Sequence, residues 1–305
     1  MRIIFLGSPT QAIPVLEEIL NSKHEVVAVI TQSAKPKGRG LEKSKTAVAQ
    51  YAEERNLKLF EVESLREDFY QNILKKFEID LAVVVAFGHL IPEDLLDRLK
   101  FGWMNLHFSM LPKYRGAAPV QRSILNGEKK LGITFFQIDK GLDTGPIYRQ
   151  FEIDLDNQFA DEAFQELNSL ASKKIIELLN QIENYEITPT KQVGEASYAA
   201  KLKDNELKID WNNEHSKILN IIRAGTSNLS AWSTFKGEKI KILNPAKIAE
   251  SRLNIGQIEL LDGEITVGSN DLAIKLGEVI PQGKKRMSAK SWYNGIQDKT
   301  GLKFD

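Results

Sequence analysis

The chain has no cysteine among its 305 residues, and this absence removes several classes of function. Without thiols it can form no disulfide, no thiolate nucleophile and no zinc or iron–sulfur centre held by thiolates. The 4 histidines also lack the HExxH spacing of a zinc-binding helix. We therefore expect no metal site.

Net charge and long apolar runs are missing as well. Lys and Arg total 41, and Asp and Glu total 41, so the formal charge is 0 and a generally basic nucleic-acid binder is disfavoured. The strongest apolar run, residues 81–87, has the length of a buried strand, whereas a membrane span needs about 20 residues. Because Met1 and Arg2 lead straight into apolar residues without a cleavage site, we expect a cytoplasmic protein with no membrane contact. A monomer is the expected state.

Short apolar runs alternate with segments of helical periodicity in the first part of the chain. The apolar runs, which are typical of strands buried on both faces, are residues 2–7, 25–31, 81–86 and 102–107. The helical segments are residues 10–22, 65–77 and 161–182. This alternation predicts an α/β fold, with a doubly wound and mostly parallel sheet.

A second, smaller domain is predicted after residue 206. Residues 186–207 lose periodicity and contain turn-forming Thr, Pro and Gly residues, as interdomain linkers do. One helix, at residues 214–224, precedes four short strand candidates at residues 239–243, 257–261, 264–267 and 272–276. This pattern suits a small β-barrel. The predicted organisation is a catalytic domain at 1–188, a linker at 189–206 and a barrel domain at 207–305.

Two polar side chains lie at the end of the strand predicted for residues 102–107. Asn105 and His107 are two residues apart, so they project from the same face, at the sheet edge where α/β proteins bind ligands. Asp143 follows in a glycine-bracketed turn, where its carboxylate would orient the His107 ring and favour its charged form. Asp139 is an equally close competitor on sequence alone.

An amide, an imidazole and a carboxylate together suit acyl or formyl transfer to an amine. The amide donates to the developing oxyanion, while the other two groups move protons. No GxSxG motif is present, so direct transfer is favoured over a covalent acyl-enzyme. The turn at residues 7–10 is not a GxGxxG fingerprint, and an ordinary helix start explains it as well as a ligand contact does.

The run NLHFSMLPKYRGAAPVQRSI at residues 105–124, with GLDTG at 141–145, resembles the folate-dependent formyltransferases. The likeness to members that act on methionyl-tRNA continues through KPKGRG at 35–40, SYAAKLKDNELKIDW at 197–211 and PQGKKRMSA at 281–289. It implies a Rossmann-type catalytic domain and an OB-like barrel. It further implies transfer of the formyl group of 10-formyltetrahydrofolate to the α-amino group of methionine on initiator tRNA, without metal or nicotinamide.

The resemblance also implies roles for individual residues. Asn105 would polarise the formyl oxygen, His107 would act as acid or base, and Asp143 would hold His107. The implied folate-binding segment is Ser109, Met110, Leu111 and Pro112. The implied tRNA contacts are a basic loop and a second basic cluster, made up of Lys35, Lys37, Arg39, Lys43, Lys45, Lys284, Lys285 and Arg286.

Two alternatives stay open at this level. The same three catalytic residues would serve a formyltransferase for another amine, such as an amino sugar or a purine precursor ribonucleotide. A binding module that holds folate or RNA without turnover is the alternative from a different class. The basic loop around Arg39 and the second domain favour tRNA, and the set of Asn105, His107 and Asp143 favours catalysis.

Overall fold

The computed structural model describes residues 1–37, 42–65, 69–249 and 253–305, which form two compact units. The first unit comprises Met1–Gly116, Lys130–Ile153 and Phe164–Tyr198. The second comprises Ala117–Lys129, Asp154–Ala163 and Ala199–Asp305. The candidate catalytic residues all belong to the first unit.

A seven-stranded sheet forms the centre of the first unit. Its strands are β1 (Arg2–Gly7), β2 (Glu25–Gln32), β5 (Leu59–Val62), β6 (Leu81–Val85), β7 (Trp103–His107), β8 (Lys130–Gln137) and β9 (Ile147–Asp154). Their spatial order is β5-β2-β1-β6-β7-β8-β9. The pairs from β5 to β7 are parallel, and β8 runs antiparallel to β7. The predicted mostly parallel sheet is confirmed. Two further short strands, β3 (Lys35–Lys37) and β4 (Glu42–Ser44), pair with each other.

The central strands are apolar along their whole length because both faces of the sheet are covered. Ile3, Ile4, Phe5 and Leu6 of β1 are all fully buried. The described residues up to Glu183 include the helices α1 (Ile13–Leu20), α2 (Ala47–Glu54), α3 (Glu93–Leu96), α4 (Pro119–Leu125) and α5 (Ala160–Glu183). No helix in the described part of the chain is both long and apolar enough to cross a membrane.

The helix predicted at residues 65–77 differs from the observed structure. The regular element there is a π-helix, Tyr70–Leu74. Phe69 and Leu74 are both buried although they are five residues apart. An i→i+5 turn brings such a pair to one face, whereas an α-helix would separate them.

An antiparallel sheet forms the centre of the second unit. Its strands are β10 (Trp232–Phe235), β11 (Glu238–Ala249), β12 (Ile258–Leu261), β13 (Glu264–Val267), β14 (Ala273–Pro281) and β15 (Met287–Ser288), accompanied by α6 (His215–Ala224) and α7 (Ala289–Asn294). The order is β10-β11-β14-β13-β12, and β15 pairs with β14. Asp262 and Gly263, with φ angles of 51° and 80°, form the two-residue turn between β12 and β13.

The two ends of this second sheet are joined by the last residues of the chain. The Ile258 amide donates to the Leu302 carbonyl at 2.9 Å, and the Asp305 amide donates to the Thr234 carbonyl at 2.9 Å. One segment therefore contacts both the β12 and the β10 end, as closure towards a barrel requires. Inside, the ring of Phe304 stacks between those of Trp211 and Trp292, at 5.2 and 5.8 Å.

Candidate active site

Strand β7 carries the first two candidate residues to the carboxyl edge of the parallel sheet. Asn105 pairs with Val84 of β6 on one side and Phe136 of β8 on the other, so its backbone is fixed by both neighbours. His107 is the last residue of the strand and is buried. The Asn105 amide, half-buried, makes no hydrogen bond with any residue that the structure describes. It is therefore available to a ligand.

The His107 ring is held in one orientation by the loop that follows it. Its Nε2 lies 2.8 Å from the Tyr114 carbonyl oxygen, so Nε2–H is the donor and Nδ1 carries the lone pair of the neutral ring. Burial lowers the pKa of His107 below its ordinary value of 6.5, although Asp143 and the Tyr114 carbonyl oppose this shift. The neutral ring with a free Nδ1 is the form of a general base.

Asp143 approaches the free nitrogen of His107. Its Oδ2 lies 3.7 Å from His107 Nδ1 and accepts a hydrogen bond from the Gly116 amide at 2.8 Å. Its φ of 52° is in the left-handed region, which Asp tolerates better than most residues. The competitor Asp139 instead accepts bonds from the Gly141 amide and the Thr144 hydroxyl, at 3.0 and 2.6 Å. The structure thus brings Asp143, and not Asp139, to His107.

Sequence reasoning missed the side chains that fix these loops. The Gln192 amide donates to the carbonyls of Asp143 and Gly145 at 2.8 and 2.9 Å. Its oxygen accepts from Arg115 Nη2 at 2.6 Å. Gln192 lies in the stretch predicted to be a linker, and nothing in its spacing signals this contact. It joins the loop after β7 to the turn that carries Asp143.

The segment from Ser109 to Pro112 uses its polar groups within the protein. The Ser109 hydroxyl donates to the Lys113 carbonyl at 2.7 Å, and the Leu111 amide donates to the Thr134 hydroxyl at 3.1 Å. Ser109, Leu111 and Pro112 are buried, and Met110 is half-buried. Any contribution of this segment to a ligand would therefore come from its shape and from the Met110 side chain.

The loop after β6 lies at the same sheet edge as His107, because β6 and β7 are parallel neighbours. The Phe87 carbonyl accepts hydrogen bonds from the Ser8 hydroxyl and the Gln32 amide group, at 3.2 and 2.9 Å. Ser8, in the predicted turn after β1, therefore has a structural partner. The Leu90 side chain, by contrast, is 84% exposed. This loop therefore follows the strand next to β7 at the same edge of the sheet, and sequence reasoning did not single it out.

The structure describes only some of the predicted tRNA-binding residues. Arg39 lies outside the described residues. Lys35 and Lys37 lie in β3, and Lys43 lies in β4. Lys45 pairs with Glu53. Lys284, Lys285 and Arg286 are exposed in the second unit, between β14 and β15, and Arg286 pairs with Glu278. Within the described ranges, no group of three or more His, Asp or Glu side chains is arranged to hold a metal ion.

Comparisons with known proteins bear on this site. Residues 1–178 match the family described as "Formyl transferase", and residues 201–297 match "Formyl transferase, C-terminal domain". The methionyl-tRNA formyltransferase of Thermodesulfovibrio yellowstonii is 37% identical over 98% of this chain and 97% of its own length. That of Corynebacterium diphtheriae is 38% identical over 99% of both chains.

A solved structure is similar in fold. The N-formyltransferase from Helicobacter canadensis, in complex with folinic acid and dTDP-3-aminofucose, has a TM-score of 0.69 and 22% identity. The match covers 90% of this chain and 98% of that chain. At this identity the likeness speaks for the fold alone.

Proposed function

The chain belongs to the formyl transferase family, and we propose that it transfers the formyl group of 10-formyltetrahydrofolate to the α-amino group of methionine on initiator tRNA. The product would be N-formylmethionyl-tRNA for translation initiation. The observation that carries the chemistry is the 3.7 Å approach of Asp143 Oδ2 to His107 Nδ1, two residues from the uncommitted amide of Asn105. Full-length relatives with 37% and 38% identity support the choice of acceptor.

Each of the three residues has a distinct task in the proposed reaction. Asn105 donates a hydrogen bond to the formyl oxygen as negative charge develops there. His107, neutral at rest, accepts a proton at Nδ1 from the attacking amine. Asp143 stabilises the imidazolium that results and guides its proton to the leaving nitrogen. Fixing amine and formyl carbon at this edge supplies the rest of the rate increase through proximity.

10-Formyltetrahydrofolate supplies an activated formyl group when bound. The half-buried Met110 and the exposed Leu90 provide apolar surface on the loops after β7 and β6, which suits a flat aromatic donor. Ser109, Leu111 and Pro112 would hold the shape of that wall. The proposed reaction uses no metal. We place it in the cytoplasm, where aminoacyl-tRNA is consumed, and assign it to a monomer.

The acceptor tRNA would bind to local clusters of lysine and arginine side chains, because the chain as a whole has no net charge. Arg39, Lys35, Lys37, Lys43 and Lys45 form the proposed contact of the catalytic domain. Lys284, Lys285 and Arg286 form that of the second domain, whose antiparallel sheet suits oligonucleotide binding of the OB type. These assignments rest on the resemblance and on charge.

The test is formyl transfer by purified protein with 10-formyltetrahydrofolate and methionyl initiator tRNA. The same reaction is run with His107→Ala and, separately, with a mixture of amino sugars and purine precursor ribonucleotides. We expect product on the tRNA only, and its loss in the variant. Formylation of a small amine alone would contradict the assigned acceptor, and folate binding without any formylation would favour the binding module.

A further inference from the structure

Two tyrosines in the first unit have strongly exposed side chains, Tyr185 at 70% and Tyr198 at 68%. The Tyr185 ring has internal partners, since it lies 5.4 Å from the Phe101 ring and 5.4 Å from the Lys100 ammonium. The Tyr198 side chain makes no hydrogen bond, ring contact or cation contact with any residue in the described ranges. A single exposed apolar side chain is ordinary. Tyr198 differs from Tyr185 in its place in the fold.

The backbone of Tyr198 is fixed beside the loop that holds the catalytic residues. Tyr198 forms a parallel bridge with Arg115, and the Arg115 amide donates to the Ser197 carbonyl at 2.8 Å. The Ser197 hydroxyl accepts from the Tyr114 amide at 2.9 Å. Tyr114 supplies the carbonyl that binds His107, and Gly116 supplies the amide that binds Asp143. Tyr198 therefore pairs with the residue that separates these two anchors.

This pairing places Tyr198 next to the loop that holds the catalytic residues. Paired strands lie about 5 Å apart, so the Tyr198 backbone is one strand spacing from the residue between the two anchors. In an aminoacyl-tRNA only the ester and the ribose separate the α-amine from the terminal adenine, so an amine held at His107 would keep the adenine close to this loop. An aromatic ring whose backbone is fixed and whose face is exposed is the kind of surface on which single-stranded bases stack.

We propose that Tyr198 is the platform on which the terminal adenine of the acceptor tRNA stacks, and that this contact positions the methionyl amine at Asn105 and His107. The proposal rests on the proposed function and adds a binding residue to it. Stacking needs the ring and not the hydroxyl, because every base has a π-face. A Tyr198→Phe variant should therefore keep the stacking contact, and a Tyr198→Ala variant should lose it.

The first experiment compares formylation of methionyl initiator tRNA by wild-type protein, Tyr198→Phe, Tyr198→Ala and Tyr185→Ala. Tyr185 is the matched control, because it is similarly exposed and packs on Phe101, at the end of β7 opposite His107. We expect Tyr198→Ala to lower kcat/KM by roughly tenfold or more, the scale of one base–aromatic stack. Tyr198→Phe and Tyr185→Ala should stay within about twofold of wild type.

The second experiment observes the base directly. Initiator tRNA carrying 2-aminopurine in place of its terminal adenine is titrated with each protein, since stacking quenches the fluorescence of this base. We expect quenching by wild type, Tyr198→Phe and Tyr185→Ala, and its loss with Tyr198→Ala although the tRNA still binds. Circular dichroism and thermal unfolding of Tyr198→Ala show whether the fold is intact.

Three results would overturn the proposal. One is undiminished quenching by Tyr198→Ala, and another is a Tyr198→Phe variant as impaired as Tyr198→Ala, which would assign the role to the hydroxyl. The third is unchanged kcat/KM in Tyr198→Ala. Failure of the proposed function looks different: wild-type protein would quench the labelled tRNA normally while formylating no methionyl-tRNA.

Discussion

At the scale of single residues, removal of the Asn105 side chain should lower the reaction rate strongly while leaving the fold intact. Its amide makes no hydrogen bond with the described residues, so alanine leaves no partner unsatisfied. We predict that Asn105→Ala lowers turnover by roughly 100-fold or more, as expected for an oxyanion donor. Single-turnover formylation measures this, and thermal unfolding serves as the control. A turnover within a few-fold of wild type would exclude the assigned role.

His107 gives a second prediction at the same scale, on catalysis and pH. Burial lowers its pKa below the ordinary 6.5, so the neutral base persists in mildly acidic solution. The acid limb of the kcat/KM profile, which reports the free enzyme, should therefore lie below pH 6.5. A limb at or above 6.5 would show that the ring is protonated more readily than its surroundings imply.

The same shift predicts a pH dependence of stability. Below about pH 6.5 the unfolded chain binds a proton at His107 more readily than the folded chain, so this residue lowers stability as the pH falls. His107→Gln should lose less unfolding free energy than wild type between pH 7.5 and 5.5. Urea unfolding at the two pH values measures the difference. Asn105→Ala, on the same strand without a titratable group, should retain the wild-type slope.

At the scale of elements, strand β8 lies in close contact with the loop after β7. A Cβ at Gly132 would lie 2.7 Å from the Phe151 carbonyl oxygen and would also overlap the Met110 side chain. The Met110 side chain can move, whereas the backbone carbonyl is held in the neighbouring strand. Gly132→Ala should therefore destabilise the protein by about 1–3 kcal/mol, as overpacking does.

A double variant separates these two contacts. If the backbone contact dominates, Met110→Ala will not restore the stability of Gly132→Ala, and the cost measured by denaturant unfolding will persist. Full rescue would assign the whole cost to the Met110 side chain.

At the scale of the whole molecule, a chain with no net charge must bind an anionic partner through local clusters. Lys284 and Lys285 are exposed and make no ion pair within the described residues, whereas Arg286 is paired with Glu278. We predict that replacing both lysines with glutamine weakens tRNA binding and lowers the slope of log Kd against log salt by about 1 to 2. Lys173→Gln, an exposed lysine of α5, is the control. An unchanged slope would remove these lysines from the interface.

The central strands could be predicted from the sequence because strands buried on both faces are continuously apolar. Residues 2–7 were predicted as a strand with the observed bounds of β1, and residues 102–107 differ from β7 by one residue. Strands β5 and β9 lie at the two ends of the sheet, where burial is partial and the apolar signal is weak. They were not recognised for that reason.

By itself the sequence determined that Asn105 and His107 share a face, because that follows from the two-residue period of a strand. It could not choose between Asp139 and Asp143, which stand four residues apart in the same turn. Only the antiparallel return of β8 beside β7, with the bonds made by Gln192 and Gly116, brings Asp143 to His107. The lowered pKa of His107 belongs to the tertiary structure for the same reason, since burial is created by residues distant in the chain.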